Sequence, residues 1–241
     1  MSTRPLINVL PTDMTQPITT PLPVKKASRW NSTYDGTGLN PVVSVFVTQT
    51  AYSRICVHSI SDMKNEVGGF LIGRWCLDEN SGQFIVIEHA LPARYTRQGS
   101  VYLTFTQDSL VDIHDQIDTN YKGEMIVGWY HTHPSMGVFL SHYDTWLHSN
   151  FFPEPWQVAL VVEPVKATGG FLSARRIPYW TRPVISGFMS WTVITVAAWF
   201  IGTTCTSSKK RKEMLQNEQV YAYVLLRDPR RDWRPDRLAG K

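Results

Sequence analysis

Beyond position 41 the chain passes repeatedly between apolar runs and stretches of helical periodicity. The β-branched and aromatic residues of 42–48 predict a strand, and 49–63 a helix with Ile55, Ile60 and Met63 turned inward. Residues 67–76 form an apolar run containing Gly68 and Gly69, the pattern of a buried strand whose backbone is approached closely. Alternation over 83–91 and the β-rich stretch 101–106 predict two more strands. Thr106 stands where an N-cap belongs, before a helix over 107–121 in which Leu110, Ile113 and Ile117 recur at helical spacing. Strands over 124–131, 156–162 and 171–177, and a short helix over 141–151, complete the order β-α-β-β-β-α-β-α-β-β. That order predicts an α/β fold, a mixed β-sheet flanked by helices, over 41–180.

The ends read differently. Residues 1–40 are rich in Pro and Thr and lack an apolar stretch, so a disordered arm is expected. After Pro183 no charged residue occurs until Lys209, and 184–204 has the length needed to cross ~30 Å of hydrocarbon. Tyr179, Trp180 and Trp199 suit an aromatic belt, and the basic run at 209–212 suits head groups. A C-terminal hydrophobic helix spanning the membrane at 184–204 is therefore expected, followed by a basic tail, 205–241. Its eight Gly, Ser or Thr residues keep open a buried terminal helix of the domain instead.

Charge and cysteines remove other classes. The net charge is +4, but from Cys205 onward ten Lys/Arg face five Asp/Glu, so the excess sits in the tail and no nucleic-acid partner is expected. Cys56, Cys76 and Cys205 show no Cys-x-x-Cys spacing, which argues against a disulfide scaffold or cysteine-held zinc. Cys56 and Cys76 read as buried thiols.

Candidate chemistry begins at His131 and His133. On a strand, positions i and i+2 share a face, so both imidazoles can meet one ion where the apolar strand runs out. Ser141 reads as a helix cap, with Asp144 in the first turn facing back. Two His and one carboxylate would leave a tetrahedral Zn²⁺ one open position, the mark of a catalytic site. Taken alone, Ser141 and Asp144 equally resemble an ordinary helix start. Such a site needs a carboxylate base outside the ligand set, and Glu66, just before the buried 67–76 run, is the candidate ahead of Asp62, Glu88 and Glu124. His58, His89, His114, His142 and His148 have no partner at metal spacing and read as structural. Met136 and Phe139 lie between the ligands and could line a groove for an extended peptide.

These residues carry a resemblance. Glu66, followed by His131-x-His133-x₇-Ser141-x-x-Asp144, with EVGGFLIG and GWYHTHPS around them, resembles the JAMM (MPN+, Mov34-type) metalloprotease family in a compact, bacterial-like form. The resemblance implies the cytidine-deaminase-like MPN fold and one zinc ion held by His131, His133 and Asp144. It implies Glu66 activating water, and Ser141 hydrogen-bonding the developing oxyanion. The implied reaction is cleavage of a peptide or isopeptide bond after the C-terminus of ubiquitin or a ubiquitin-like protein, with that protein or its conjugates as partner. The stretch from Asp144 to Trp156 is too short for the insertion that grips a second ubiquitin in linkage-specific members. The substrate argument puts the catalytic domain on the cytoplasmic side of a membrane it would reach through 184–204. Two other readings stand beside it: a RadC-like DNA-repair-associated protein, and a non-catalytic membrane-tethered module that binds ubiquitin-like tails.

Overall fold

The computed structural model describes residues 16–30, 43–80, 82–176, 191–196 and 198–201. In chain order the elements are β1 (Ile18–Thr19), a 3-10 turn (Pro23–Lys26), β2 (Ala27–Trp30), β3 (Ser44–Thr48), α1 (Gln49–Ser59), β4 (Gly68–Leu77) and β5 (Gln83–Pro92). They continue with β6 (Arg97–Gly99), β7 (Tyr102–Thr104), α2 (Gln107–Asn120), β8 (Met125–Thr132), α3 (His142–Phe151), β9 (Val158–Glu163), β10 (Thr168–Arg176), β11 (Trp191–Val196) and β12 (Ala198–Ile201). The mixed sheet runs β11-β10-β9-β8-β4-β5-β3-β12-β2, with β1 alongside the far end of β4. The short β6–β7 hairpin stands apart from it.

The central strands are apolar on both faces because both faces are covered. Leu71, Tyr130, Val158 and Leu160 point into one core with Val45, Val47 and Ile55, on the α1 side. Their sequence neighbours Phe70, Ile72, Trp129 and Ala159 point into the other, with Ile113, Ile117, Leu147 and Phe152 from α2 and α3. The two-residue period thus assigns His131 and His133 to the α2/α3 face, the face of Trp129.

Between β4 and β8 the chains come unusually close. A Cβ on Gly68 would lie 2.5 Å from the Tyr130 carbonyl oxygen and 3.2 Å from His131 Cβ. We expect Gly68→Ala to push β8 away, lowering stability by ~1–3 kcal/mol, read as a lower urea midpoint with unchanged slope.

Helix α2 begins where the sequence placed it. Thr106 caps it, exchanging bonds with Ser109. Helix α1 ends earlier than expected, at Ser59, and Met63 is exposed rather than inward. The reason is local: Asp62 accepts the backbone N–H groups of Lys64 and Asn65 at 2.8 and 2.9 Å, an alternative to helical bonding.

The described parts of the two flanking segments differ from expectation. Residues 16–30, inside the supposed disordered arm, join the sheet: β1 pairs parallel with Cys76 and Leu77, and β2 pairs antiparallel with β12. Leu22 and Ala27 pack on a core of Phe46, Cys76, Phe84 and Val86, which offsets the ordering cost that composition alone would predict to be unmet. The transmembrane helix expected over 184–204 is not what the described part adopts. Residues 191–196 and 198–201 are strands, and no helix among the described residues is long and apolar enough to cross a membrane. The segment WTVITV is rich in β-branched residues, whose stiff side chains favour the extended backbone. β11 pairs with β10 and β12 with β3, at opposite ends of the sheet, although one residue separates them in sequence. Consecutive Cα atoms are only ~3.8 Å apart, so the sheet must curl until its ends share this segment. The remainder of 184–204, most of 1–40 and the tail 205–241 lie outside the described residues.

Candidate metal centre

Strand register builds the site. Gly68 lies opposite His131 and Phe70 opposite Trp129 in the antiparallel β4–β8 pair. The pairing continues past the strand end: Thr132 N–H donates to the Val67 carbonyl at 2.9 Å, and Val67 N–H donates to Thr132 Oγ1 at 2.9 Å. One step further, the same register sets Glu66 opposite His133, with Glu66 Oε1 3.8 Å from His133 Nε2. Glu66 N–H is held by the Gly99 carbonyl of the β6–β7 hairpin at 2.8 Å. His133 N–H donates to the Val162 carbonyl of β9 at 2.8 Å.

Helix α3 supplies the last group. Ser141 Oγ accepts from Asp144 N–H at 3.1 Å, and Ser141 N–H donates to Asp144 Oδ2 at 2.7 Å, a reciprocal capping box. The same Oδ2 stands 3.5 Å from Nε2 of both His131 and His133. The helix-start and ligand readings of Ser141 and Asp144 are therefore one arrangement, in which the cap aims the carboxylate.

The donor set fits a tetrahedral ion. The Nε2 atoms of His131 and His133 are 2.9 Å apart, which with the two 3.5 Å separations makes a small triangle. Bond lengths of ~2.0–2.1 Å to zinc would give tetrahedral edges of about 3.3 Å. His131, His133, Asp144 and Glu66 are all buried, and Glu66 Oε2 and both Nδ1 atoms have no hydrogen-bond partner. Buried polar groups left this way are costly unless something else meets them.

Two carboxylates compete for the third ligand position, since Glu66 also lies within reach of both imidazoles. Their electrostatics separate them. Burial pushes the Asp144 carboxyl up, but hydrogen bonds from His131, His133 and Ser141 outweigh it and hold the group well below the usual carboxylate range. Burial pushes Glu66 up to about 7, with His133 opposing and the Asp144 charge adding to the rise. Asp144 is thus the fixed anion, and Glu66 the group poised to exchange a proton near neutrality. Burial lowers His131, with Asp144 partly opposing, which favours the neutral imidazole that a metal needs.

The Glu66 shift has a measurable sign. A carboxyl raised from its ordinary 4.5 to about 7 binds more protons in the folded than in the unfolded chain between those values. Its contribution to stability is therefore full below the unfolded value and lost as pH rises through about 7. His131 works oppositely below its ordinary value, so the clean observable is a difference. The metal-free Glu66→Gln variant should gain stability relative to the parent chain as pH rises from 5 to 8, by up to an order of 3 kcal/mol, measured by urea unfolding at each pH.

Other residues fall out of the site. Asp62 organises the turn before Glu66 rather than facing the imidazoles. Glu88 pairs with Arg74, and Glu124 with His89 at 3.3 Å; together with His89 they form a second possible cation group, but the guanidinium already neutralises Glu88. Cys56 is buried with its thiol pushed up to about 12 by burial, and burial raises Cys76 too, so neither is a nucleophile. Phe139 tilts against the His133 ring at 4.8 Å and is 45% exposed, beside the site as expected.

Some contributors carry no motif. Glu163 is buried at the end of β9, and its Oε1 accepts from Ser135 N–H and Val165 N–H, both at 3.0 Å. It fastens the loop after His133, where Ser135 has a φ of 63°. His148, read as structural, accepts a 3.0 Å bond from the Trp129 indole, whose ring stacks on His131. The available signal was its place four residues after Asp144, on the same helix face.

Comparisons with known proteins bear on the family of the domain. Residues 40–152 match the family described as JAB1/Mov34/MPN/PAD-1 ubiquitin protease. COP9 signalosome complex subunit 5 of Caenorhabditis elegans is 34% identical over 128 residues, covering 50% of this chain and 32% of that protein. NAD(+) hydrolase TcpA of a Theionarchaea archaeon is 31% identical over 139 residues, covering 57% of this chain and 39% of that protein. Ubiquitin carboxyl-terminal hydrolase RPN11 of Saccharomyces cerevisiae is 26% identical over 129 residues, covering 53% and 40% respectively. The matches thus span well under two thirds of these relatives. Relatives whose names carry such different activities all match this chain, so the ligand set, not the match, must choose the reaction.

Proposed function

Residues 40–152 belong to the JAB1/Mov34/MPN/PAD-1 family, and from that premise we propose that the chain is a zinc-dependent peptidase or isopeptidase. Its substrate would be a bond following the C-terminus of ubiquitin or a ubiquitin-like protein. The observation that carries the proposal is the convergence of His131 Nε2, His133 Nε2 and Asp144 Oδ2 within 3.5 Å of one another, with a second, proton-accepting carboxylate beside them. A structural zinc site would have no use for that second carboxylate.

His131, His133 and Asp144 would hold the ion. When bound, zinc supplies a Lewis acid and lowers the pKa of a water in the open position. The remaining steps belong to the chain's own groups. Glu66 takes a proton from the water whose oxygen attacks the carbonyl carbon, then delivers it to the leaving nitrogen as the C–N bond breaks. The products are a carboxylic acid and an amine, which part as carboxylate and ammonium once the water's second proton has passed from one to the other, and Glu66 returns to its starting state. Ser141 Oγ accepts from Asp144 N–H, which leaves its own proton free to donate to the developing oxyanion. Phe139, tilted against the His133 ring, and Met136 in the same loop would line the approach of an extended tail.

The test is incubation of the full chain with ubiquitin and ubiquitin-like proteins carrying a C-terminal peptide extension, followed by mass spectrometry. Cleavage at the junction is expected, suppressed by a zinc chelator and restored by zinc. Cleavage that persists after verified removal of all metal sinks the proposal.

A further inference from the structure

A histidine that ligates a metal usually donates its other ring N–H to a carboxylate or carbonyl, which fixes ring plane and tautomer. Here Nδ1 of His131 is buried and has no partner. Something else must set the plane of that ring.

The ring lies on Trp129. The two centroids are 4.5 Å apart and the planes 10° from parallel. Trp129 is held in turn from three sides. Phe152 stacks at 5.7 Å and 10°, Phe105 meets it edge-on at 5.9 Å, and the indole N–H donates to His148 Nδ1 at 3.0 Å. The aromatic contacts alone would let the indole slide in its plane; the hydrogen bond stops that. Burial lowers the His148 imidazole to about 4, so Nδ1 stays an acceptor throughout the neutral range.

His148 is also one helical turn beyond Asp144, on the same inner face of α3. The helix therefore meets β8 twice, through the Asp144 carboxylate at the imidazoles and through His148 at the indole behind His131. A tilt or slip of α3 that displaced Asp144 would displace the support of His131 with it.

From this geometry we propose that His148 and Trp129 form a relay that positions the metal ligand His131, replacing the usual hydrogen bond to its Nδ1. The proposal rests on His131 being a ligand, as in the proposed function. It also accounts for the choice of indole: an imidazole bound to a cation is electron-poor, and the face of a Trp ring attracts it. A merely structural account would have His148 do no more than satisfy a buried N–H.

The experiment uses the full chain with two readouts, zinc affinity by competition with a chromophoric chelator and the visible spectrum of the cobalt(II)-loaded protein. His148→Leu should weaken zinc by ~10-fold or more and shift the cobalt bands. His148→Gln offers the indole a carbonyl acceptor and should bring both readouts back towards the parent. Trp129→Phe keeps a ring but loses the N–H, and should behave like His148→Leu. Far-UV circular dichroism of the metal-free variants identifies one that does not fold; should His148→Leu fail, Trp129→Phe against His148→Gln decides. Equal affinity and identical cobalt spectra in all folded variants would overturn the relay and leave the proposed function standing. A parent chain that binds no zinc would overturn both.

Discussion

Replacing Glu66 with Gln should lower kcat/KM for a ubiquitin-like fusion by about 10²–10⁴-fold, with zinc still bound at one ion per chain. The substitution keeps shape and hydrogen-bonding capacity but removes the only proton acceptor we assign to the reaction. Metal retention follows from the electrostatics: Asp144, not Glu66, is the carboxylate held as an anion against both imidazoles. Folding should not suffer either, because the metal-free chain already favours an uncharged group at a position 2% exposed. Metal analysis and steady-state kinetics on one preparation give the answer. Undiminished cleavage by the variant would remove Glu66 from the mechanism, and loss of zinc would make it a ligand.

Changes at Asp144 should separate its two roles. Asp144→Asn preserves an acceptor for Ser141 N–H, so the start of α3 survives, but it removes the negative ligand. We expect zinc affinity to fall by at least ~100-fold, beyond the usual effect of a residue outside the ligand shell, and the metal-free chain to lose at neutral pH the stability that comes from holding this carboxylate charged. Asp144→Ala loses the capping box as well and should cost about 1 kcal/mol more. Chelator competition gives the first quantity and thermal unfolding without metal the second. If Asp144→Asn bound zinc like the parent, Glu66 would be the third ligand after all.

Much of this is legible in the sequence. The alternating and continuous apolar runs placed the central strands, because a strand between two covered faces has no polar side to show. Thr106 and Ser141 declared the starts of α2 and α3 through side chains that compete for the first free N–H groups of a helix. The i, i+2 spacing of His131 and His133 put both rings on one face by backbone geometry alone. Glu66 was legible only in part. Its place at the head of a buried strand was apparent, but its burial and its position opposite His133 depend on the β4–β8 register, which no local pattern reveals.

Where reading failed, the missing information was long-range. The segment at 191–201 has the apolarity of a membrane helix and the β-branching of a strand, and only its pairing with β10 and β3 decides between them. The 16–30 segment is poor in core residues, yet β4 and β12 offer it backbone partners and Phe46 and Phe84 offer it a surface. His148 looked idle because its partner, Trp129, lies on another element.

By itself, then, the sequence determined the chemistry: two imidazoles on one strand face, a capped carboxylate, and a further acid at the head of a buried strand. Tertiary structure decided which carboxylate stays charged, what steadies His131, and how the sheet closes. Periodicity, capping and residue type act over a few positions of chain. Desolvation, strand register and ring stacking arise only when distant segments are brought together.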